Sequence, residues 1–145
     1  MRVIRVVDGD TIVVALDGRA TRVRYIGVDT PESVKPNTPV ECFAKRAVAL
    51  NRSLVEGRRV TLRFDRERTD RYGRLLAYVT NDRGVDVNSA LIGAGAARTM
   101  AISPNTSRSG EFSKLEAKAR RDGRGLWREC ARSQGRLGSL VFSTG

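Results

Sequence analysis

The order of extended and helical segments is the feature that most constrains how this chain can fold. Five runs have the composition of β-strands, and a helical segment separates the third run from the fourth. Asp17 and Gly18 form a two-residue hairpin signal between the second and third runs. This order is that of an OB-fold, so we predict an α+β fold, mainly β, with a five-stranded OB-fold barrel and three α-helices. The predicted strands are residues 2–7, 11–16, 21–28, 58–65 and 75–80.

The first helical segment carries start and stop signals. Thr38, Pro39 and Glu41 occupy the N-cap, N1 and N3 positions of a capping box, which predicts a helix that begins at Pro39. Gly57 predicts its end. One apolar stripe follows from the spacing of Phe43, Ala47, Leu50 and Leu54.

Two further helices are predicted in the second half of the chain. The first covers residues 87–94, with Asp86 as a possible cap and Gly95 as its terminator. The second covers residues 111–122 and ends before Gly123.

Charge restricts the functions that this chain can have. The 145 residues include 27 Lys and Arg against 16 Asp and Glu, a net charge of +11, and no His. Such an excess of positive charge is typical of proteins that bind nucleic acids. The lack of His excludes His-based triads and His general bases, and two Cys are too few for a Cys-only zinc site. Any metal is therefore expected to be a hard cation bound by oxygen atoms.

Acidic residues in a tight turn interrupt the first β-type segments at Asp8, Gly9 and Asp10. A hairpin or bulge turn explains them by itself, because Asp and Gly favour turns. Carboxylates at such a turn can also bind a cation.

A basic residue lies inside the third strand. Arg24 has the same parity as Ile26 and Val28, so alternation predicts that its side chain points to their side of the sheet. A cation there needs a carboxylate or a substrate phosphate as its partner. Asp29 ends the strand and Glu32 follows a Thr-Pro turn. A structural ion pair and a catalytic site both account for this pattern.

Residues 69–74 form a third polar segment, before the fifth strand. The segment contains Arg71, Tyr72 and Arg74, and basic residues around a Tyr suit phosphate contact and base stacking. A solvated charged turn is the alternative. Trp127, the sole Trp, is predicted to be a packing anchor.

Together these segments supply the groups that phosphodiester hydrolysis needs. Asp10 and Asp29 offer oxygen ligands for a hard cation, and Glu32 adds a carboxylate. Arg24 and Arg74 offer two bidentate phosphate donors.

The same motifs closely resemble those of the staphylococcal nuclease (thermonuclease) family. The resemblance covers residues 6–127 and follows the order of the family. Its motifs are VDGDT, RYIGVDTPE, RTDRYGRLLAY, VNSALI, a Pro-Asn loop, LEAKAR and GLW.

The resemblance implies an OB-fold nuclease with one bound Ca²⁺. Asp10 and Asp29 would be its carboxylate ligands, with the main-chain carbonyl of Thr30 as a further ligand. Asp8 would not bind the ion itself but would lie next to the ligands and help to position them. The implied activity is hydrolysis of DNA and RNA at the P–O5′ bond, which leaves 3′-phosphate ends.

The resemblance also implies roles at the scissile phosphate. Glu32 would orient or deprotonate the attacking water, and Arg24 and Arg74 would grip the phosphate and stabilise the transition state. Arg71 and Tyr72 would contact the substrate.

Two departures from the family concern the substrate cleft. Met100 and Ile102 stand where the staphylococcal protein has Tyr residues that pack on a bound nucleotide. Since stacking on an aromatic ring is worth about 1–3 kcal/mol per base, weaker nucleotide binding is expected.

Cys42 and Cys130 are a third departure, because the staphylococcal protein lacks both. A disulfide between them would close a long loop, and two free thiols are the alternative that the sequence leaves open.

We therefore expect residues 1–130 to form one nuclease domain and residues 131–145 a flexible tail. The expected partners are DNA and RNA, with no membrane partner, and the expected state is a monomer. Since no secretory signal is visible, the chain is expected to be intracellular, or a mature secreted protein that starts at an added Met. An inactive OB-fold module that binds nucleic acid or protein is the alternative function, and a basic protein that binds nucleic acid by charge alone is a third.

Overall fold

A five-stranded sheet lies at the centre of the computed structural model, which describes residues 1–33, 37 and 40–130. The strands are β1 (Val3–Asp8), β2 (Thr11–Leu16), β3 (Arg19–Tyr25), β4 (Val28–Asp29), β5 (Val60–Arg63), β6 (Leu75–Asn81) and β7 (Arg98–Thr99). The helices are α1 (Ala44–Val55), α2 (Val87–Gly93), α3 (Ser109–Arg121) and α4 (Leu126–Glu129). The strand order of the large sheet is β1-β2-β3-β6-β5, and β4 pairs with β7 in a separate small sheet.

The edges of the large sheet approach each other without a continuous ladder. Arg2, just before β1, forms an isolated bridge with Arg59, just before β5. The Val60 amide also donates a hydrogen bond of 2.7 Å to the Met1 carbonyl. With its parallel β3–β6 pair and α1 between the third and fourth long strands, the sheet has the predicted α+β, OB-fold class, although the barrel is incompletely closed.

The predicted hairpin between β2 and β3 is confirmed. Leu16 pairs with Arg19, and the two residues between them have positive φ angles, 50° at Asp17 and 77° at Gly18. This is the backbone that a two-residue hairpin of matching twist requires.

The third predicted strand is split in the structure. β3 ends at Tyr25, and the chain turns at Gly27, where φ is 76°. A Cβ atom at Gly27 would lie 2.6 Å from the Phe112 ring, so the turn needs glycine both for its backbone angle and for space. The chain then forms β4, a two-residue strand that pairs with β7 and that alternation alone did not predict.

The predicted start of α1 is wrong. The helix begins at Ala44, and its N-cap residue, Phe43, has a left-handed backbone with a φ of 73° and no side-chain cap. Thr38 and Pro39 lie outside the described residues, and Glu41 uses its side chain to contact Glu32 rather than to cap a helix.

The other predicted boundaries of helices and strands lie close to the observed ones. Asp86 caps α2 by accepting a hydrogen bond of 3.0 Å from the Ser89 amide. Helix α3 begins at Ser109, two residues before the predicted start, and Gly123 follows it with a φ of 62°. The predicted strand 58–65 is shortened to β5.

The end of the described chain is attached to the start of α1. Cys42 and Cys130 form a disulfide with Cα atoms 5.9 Å apart, which decides between the two alternatives for these residues. Arg46 of α1 also forms an ion pair with Glu129 of α4. The predicted tail, 131–145, lies outside the described residues.

Trp127 lies beside the guanidinium groups of Arg98 and Arg120, whose centres are 5.0 and 4.8 Å from its rings.

Among the described helices, none has the length and apolar character needed to cross a membrane.

Candidate active site

An ion pair between Asp10 and Arg24 forms the centre of the candidate site. One Nη atom of Arg24 lies 3.3 Å from Asp10 Oδ2 and 4.0 Å from Asp29 Oδ1. The other Nη atom donates hydrogen bonds of 2.8 and 2.6 Å to the carbonyls of Tyr25 and Val28. Arg24 therefore holds the end of β3, the turn and β4 together beside two carboxylates.

The sheet register places Arg24 on the outer face of β3. Its neighbours Val23 and Tyr25 are buried in the core, and successive strand residues point to opposite faces. The prediction that Arg24 faces the side of Ile26 and Val28 is wrong, because β3 ends at Tyr25 and the turn resets the alternation. Of the two partners predicted for this cation, a carboxylate or a substrate phosphate, the structure shows a carboxylate, that of Asp10.

Asp29 is the more exposed of the two carboxylates. Its side chain is 52% exposed, against 10% for Asp10. Partial burial raises the pKa of Asp29 above its usual value, the charges of Asp10 and Glu41 raise it further, and Arg24 and Arg98 oppose them. The raised pKa of Asp29 is therefore due mainly to burial, and Arg24 is the charge that opposes it most.

Thr30 is held against the acidic turn at Gly9. The Thr30 amide donates a hydrogen bond of 3.1 Å to Asp10 Oδ2. A Cβ atom at Gly9 would lie 2.6 Å from Thr30 Oγ1, so only glycine allows this approach. Thr30 Oγ1 is itself buried and has no hydrogen-bond partner in the part of the chain that the structure describes.

A buried network supports the turn from below. Asp8 Oδ1 accepts hydrogen bonds from the Gly9 amide (2.9 Å) and from the Ser33 hydroxyl (2.6 Å). The Asp8 carbonyl accepts a hydrogen bond of 2.9 Å from Asn51 Nδ2. Asn51 Oδ1 in turn accepts one of 2.6 Å from the Tyr25 hydroxyl. Burial raises the pKa of Tyr25, so the phenol keeps the proton that it donates.

Asn51 is a member of this network that the sequence interpretation missed. It is fully buried on α1, between positions of the apolar stripe. A polar residue at such a position is the one signal that could have indicated it, because buried amides need partners.

Glu32 is joined to Glu41 through the backbone. Glu41 Oε1 accepts a hydrogen bond of 2.6 Å from the Glu32 amide, and the Glu41 amide donates one of 3.1 Å to the Glu32 carbonyl. This reciprocal pair fixes where the backbone of Glu32 leaves the Thr-Pro turn. Glu41 was interpreted from the sequence only as a helix-capping residue.

A cleft of about 470 Å³ connects Arg24 with the polar segment before β6. Its lining includes Arg71, Tyr72 and Arg74, together with Met100 and Ile102. The Tyr72 ring is exposed, and its centre lies 5.0 Å from the Arg71 guanidinium and 5.5 Å from that of Arg74. The structure thus brings the two predicted arginines, Arg24 and Arg74, to one cleft.

Asp70 orients Arg74 at the edge of the cleft. Its two carboxylate oxygens accept hydrogen bonds from the Arg74 amide (3.0 Å) and from Arg74 Nε (2.7 Å). Although burial opposes it, the pKa of Asp70 is lowered by these bonds and by one from the Tyr72 amide. Since Nε carries the only ion pair of Arg74 among the described residues, its two Nη atoms remain available to an anion.

Comparison with known proteins places these motifs in a family. The family described as "Staphylococcal nuclease homologue" matches residues 22–129. The thermonuclease of Staphylococcus hyicus is 40% identical over 126 residues, which cover 87% of this chain and 74% of that protein. Endonuclease YncB of Bacillus subtilis (strain 168) is 42% identical over 125 residues, which cover 85% of this chain and 59% of that protein.

The SPbeta prophage-derived endonuclease YokF of the same organism is also 42% identical over 125 residues, but these cover only 42% of its length. The chain thus spans only part of the length of each of these relatives. The family match and the names of the relatives confirm the predicted enzyme class, a nuclease hydrolase. Because the matched segment makes up most of the chain, the chain belongs to the staphylococcal nuclease homologue family.

Proposed function

We propose that this chain is a calcium-dependent nuclease that acts as a monomer on DNA and RNA. The proposed reaction adds water to the phosphorus atom and breaks the P–O5′ bond, which gives a 3′-phosphate and a 5′-hydroxyl end. One observation supports it most: Arg24 lies between the Asp10 and Asp29 carboxylates and also lines a cleft with Arg71, Tyr72 and Arg74.

The residues beside Arg24 have the chemistry that a hard cation requires. Within the described ranges, no three Asp, Glu, Cys or His side chains are grouped for metal binding, so such an ion would rely on two carboxylates, a carbonyl and water. Asp10, Asp29 and the Thr30 carbonyl are the proposed ligands. The buried Oγ1 of Thr30, which has no hydrogen-bond partner among the described residues, marks unmet polarity beside them. Ca²⁺ tolerates such irregular oxygen coordination better than Mg²⁺ does. When bound, it would supply positive charge for the phosphate oxygens.

Side chains of the protein would hold the substrate and activate the attacking water. Arg24 of β3 and Arg74, the residue before β6, both line the cleft and would hold a phosphate between two planar guanidinium groups. Glu32, positioned by its backbone pair with Glu41, would orient the attacking water and accept its proton. Tyr72 would stack on a base, and Arg71 would contact a flanking phosphate.

Cleavage is expected to require Ca²⁺. In a plasmid-cleavage assay, the protein with added Ca²⁺ should degrade DNA, and an excess of EDTA should abolish the activity. Mg²⁺ at the same concentration should support much less cleavage, because it demands near-ideal octahedral geometry. Undiminished cleavage in EDTA would disprove the metal requirement, and a protein that binds DNA without cutting it would favour the inactive-module alternative.

Replacing Met100 and Ile102 by Tyr should tighten the binding of a short nucleotide inhibitor. Ile102 is 59% exposed and both residues line the cleft, so two rings can be added there without disturbing the core. Each stacked base is worth about 1–3 kcal/mol, which predicts at least a several-fold lower Kd. Calorimetric titration would measure it. An unchanged Kd would mean that a bound nucleotide does not pack on this wall.

A further inference from the structure

We propose that Arg5 and Arg22 form a second binding surface, for the phosphate backbone of a polynucleotide strand that extends beyond the cleft. This inference rests on the proposed nuclease function and adds to it a site for the flanking nucleotides of a long substrate. We call Arg5, Arg22 and the Val13 that lies between them the outer row.

The sheet register places the outer row on one face. Val13 of β2 is paired with Arg5 of β1 on one side and with Arg22 of β3 on the other. Residues directly opposite each other on neighbouring strands point to the same face of a sheet. Val13 is only 3% exposed yet is absent from the core cluster, as expected for a residue on the outer face. Two arginines therefore flank one apolar residue on this face.

The outer row is adjacent to the candidate active site. Arg22 and Arg24 are two residues apart on β3, so their side chains share a face and lie about 6.6 Å apart along the strand. Val23 pairs with Leu75, the first residue of β6, so Arg74, which comes just before this strand, lies next to Arg22. A strand whose scissile phosphate lies between Arg24 and Arg74 thus reaches Arg22 first and Arg5 next.

The charges of the outer row are uncompensated. Arg5 and Arg22 are both exposed, and neither forms an ion pair with any carboxylate in the described part of the chain. Arg24 and Arg74, in contrast, are both paired with aspartates. Exposed guanidinium groups without a carboxylate partner are free to neutralise phosphates, and the counterions released make such binding depend strongly on salt.

The test compares a double variant, Arg5→Gln with Arg22→Gln, with a matched control, Arg83→Gln with Arg121→Gln. The control removes the same charge from two exposed arginines, neither of them ion-paired among the described residues. Arg83 follows β6 at the end opposite Arg74, and Arg121 ends α3. Binding of a long oligothymidylate and of a thymidine dinucleotide is measured in EDTA, which prevents cleavage, over a range of salt concentrations. Thermal unfolding verifies that all variants fold.

We expect the Arg5 and Arg22 double variant to lose affinity for the long strand. Each lost contact should lower the slope of log K against log salt by about 0.7, which corresponds to roughly 5-fold weaker binding per contact at 0.1 M salt. The dinucleotide has a single internucleotide phosphate, which the cleft would take, so none is left for the outer row and its affinity should change no more than it does in the control.

An equal loss of long-strand affinity in the two double variants would overturn the inference, because overall charge would then explain it. So would an equal loss for the dinucleotide, because the residues would then act inside the cleft. Failure of the parent protein to cleave DNA with Ca²⁺ would count against the proposed function alone, since the binding comparison does not depend on cleavage.

Discussion

Glu32→Gln is expected to lower kcat by about 10²–10⁴-fold, the range that general-base catalysis typically contributes. The substitution keeps the size of the side chain and removes its charge and its basicity. The backbone pair with Glu41 uses the Glu32 amide and carbonyl, so it does not depend on the side chain that is changed. Binding of Ca²⁺ and of a nucleotide inhibitor should therefore be nearly unchanged.

Steady-state kinetics on a short DNA substrate, with Ca²⁺ and inhibitor titrations on the same preparations, would measure this prediction. Glu56→Gln is the control, because Glu56 is an exposed residue at the C-terminal end of α1 whose one ion pair among the described residues is the surface contact with Arg52. A kcat within a few-fold of the parent would show that Glu32 is not the base. A loss well beyond 10⁴-fold would show that it also organises the surrounding hydrogen bonds.

The strands that carry the candidate site could be predicted because their signals are local. The hairpin at Asp17 and Gly18 depends on two adjacent residues, and β-type composition identified every long strand. The end of β3 could not be predicted from alternation, because it depends on Gly27 meeting the Phe112 ring of a helix far along the chain. That one contact changes which side of the sheet Arg24 faces relative to Ile26.

The start of α1 could not be predicted either, because it also depends on contacts with residues that are distant in sequence. A capping box predicts a helix start only when its residues have no other partner, and here the Glu41 side chain binds the Glu32 amide. The next residue, Cys42, is joined to Cys130 by a disulfide. Both partners are set by the tertiary fold. The support of the acidic turn by Asn51 and Tyr25 is equally non-local, since its hydrogen bonds join residues 26 and 43 positions apart.

The two cleft arginines should respond differently to replacement by Lys, which keeps the charge and loses the planar fork. Asp70 holds the Arg74 guanidinium through Nε, and among the described residues no carboxylate pairs with its Nη atoms, which are available to a phosphate. If its contact strengthens mainly in the transition state, Arg74→Lys should lower kcat by about 10²–10³-fold, the loss seen when one such donor is removed. KM and the stability of the fold should change little.

Arg24→Lys should cause the same kind of loss in kcat and two further losses. Arg24 is only 13% exposed, and it contacts Asp10 and the carbonyls of Tyr25 and Val28 at once. A single ammonium group cannot reproduce these contacts in the same plane, so the turn after β3 should loosen and the thermal unfolding midpoint should fall. A nucleotide inhibitor should also bind more weakly, because Arg24 lines the cleft in the ground state.

Kinetics, inhibitor titration and thermal unfolding of both variants would separate these effects, with Arg83→Lys as a control at an exposed site. Equal effects of Arg24→Lys and Arg74→Lys on stability and inhibitor affinity would contradict the different roles argued from their contacts. If both variants cleave DNA within a few-fold of the parent, neither fork stabilises the transition state. Because Lys keeps the positive charge, that result would leave charge alone as the contribution of the two residues. If Glu32→Gln also cleaves DNA within a few-fold of the parent, the proposed site as a whole is wrong.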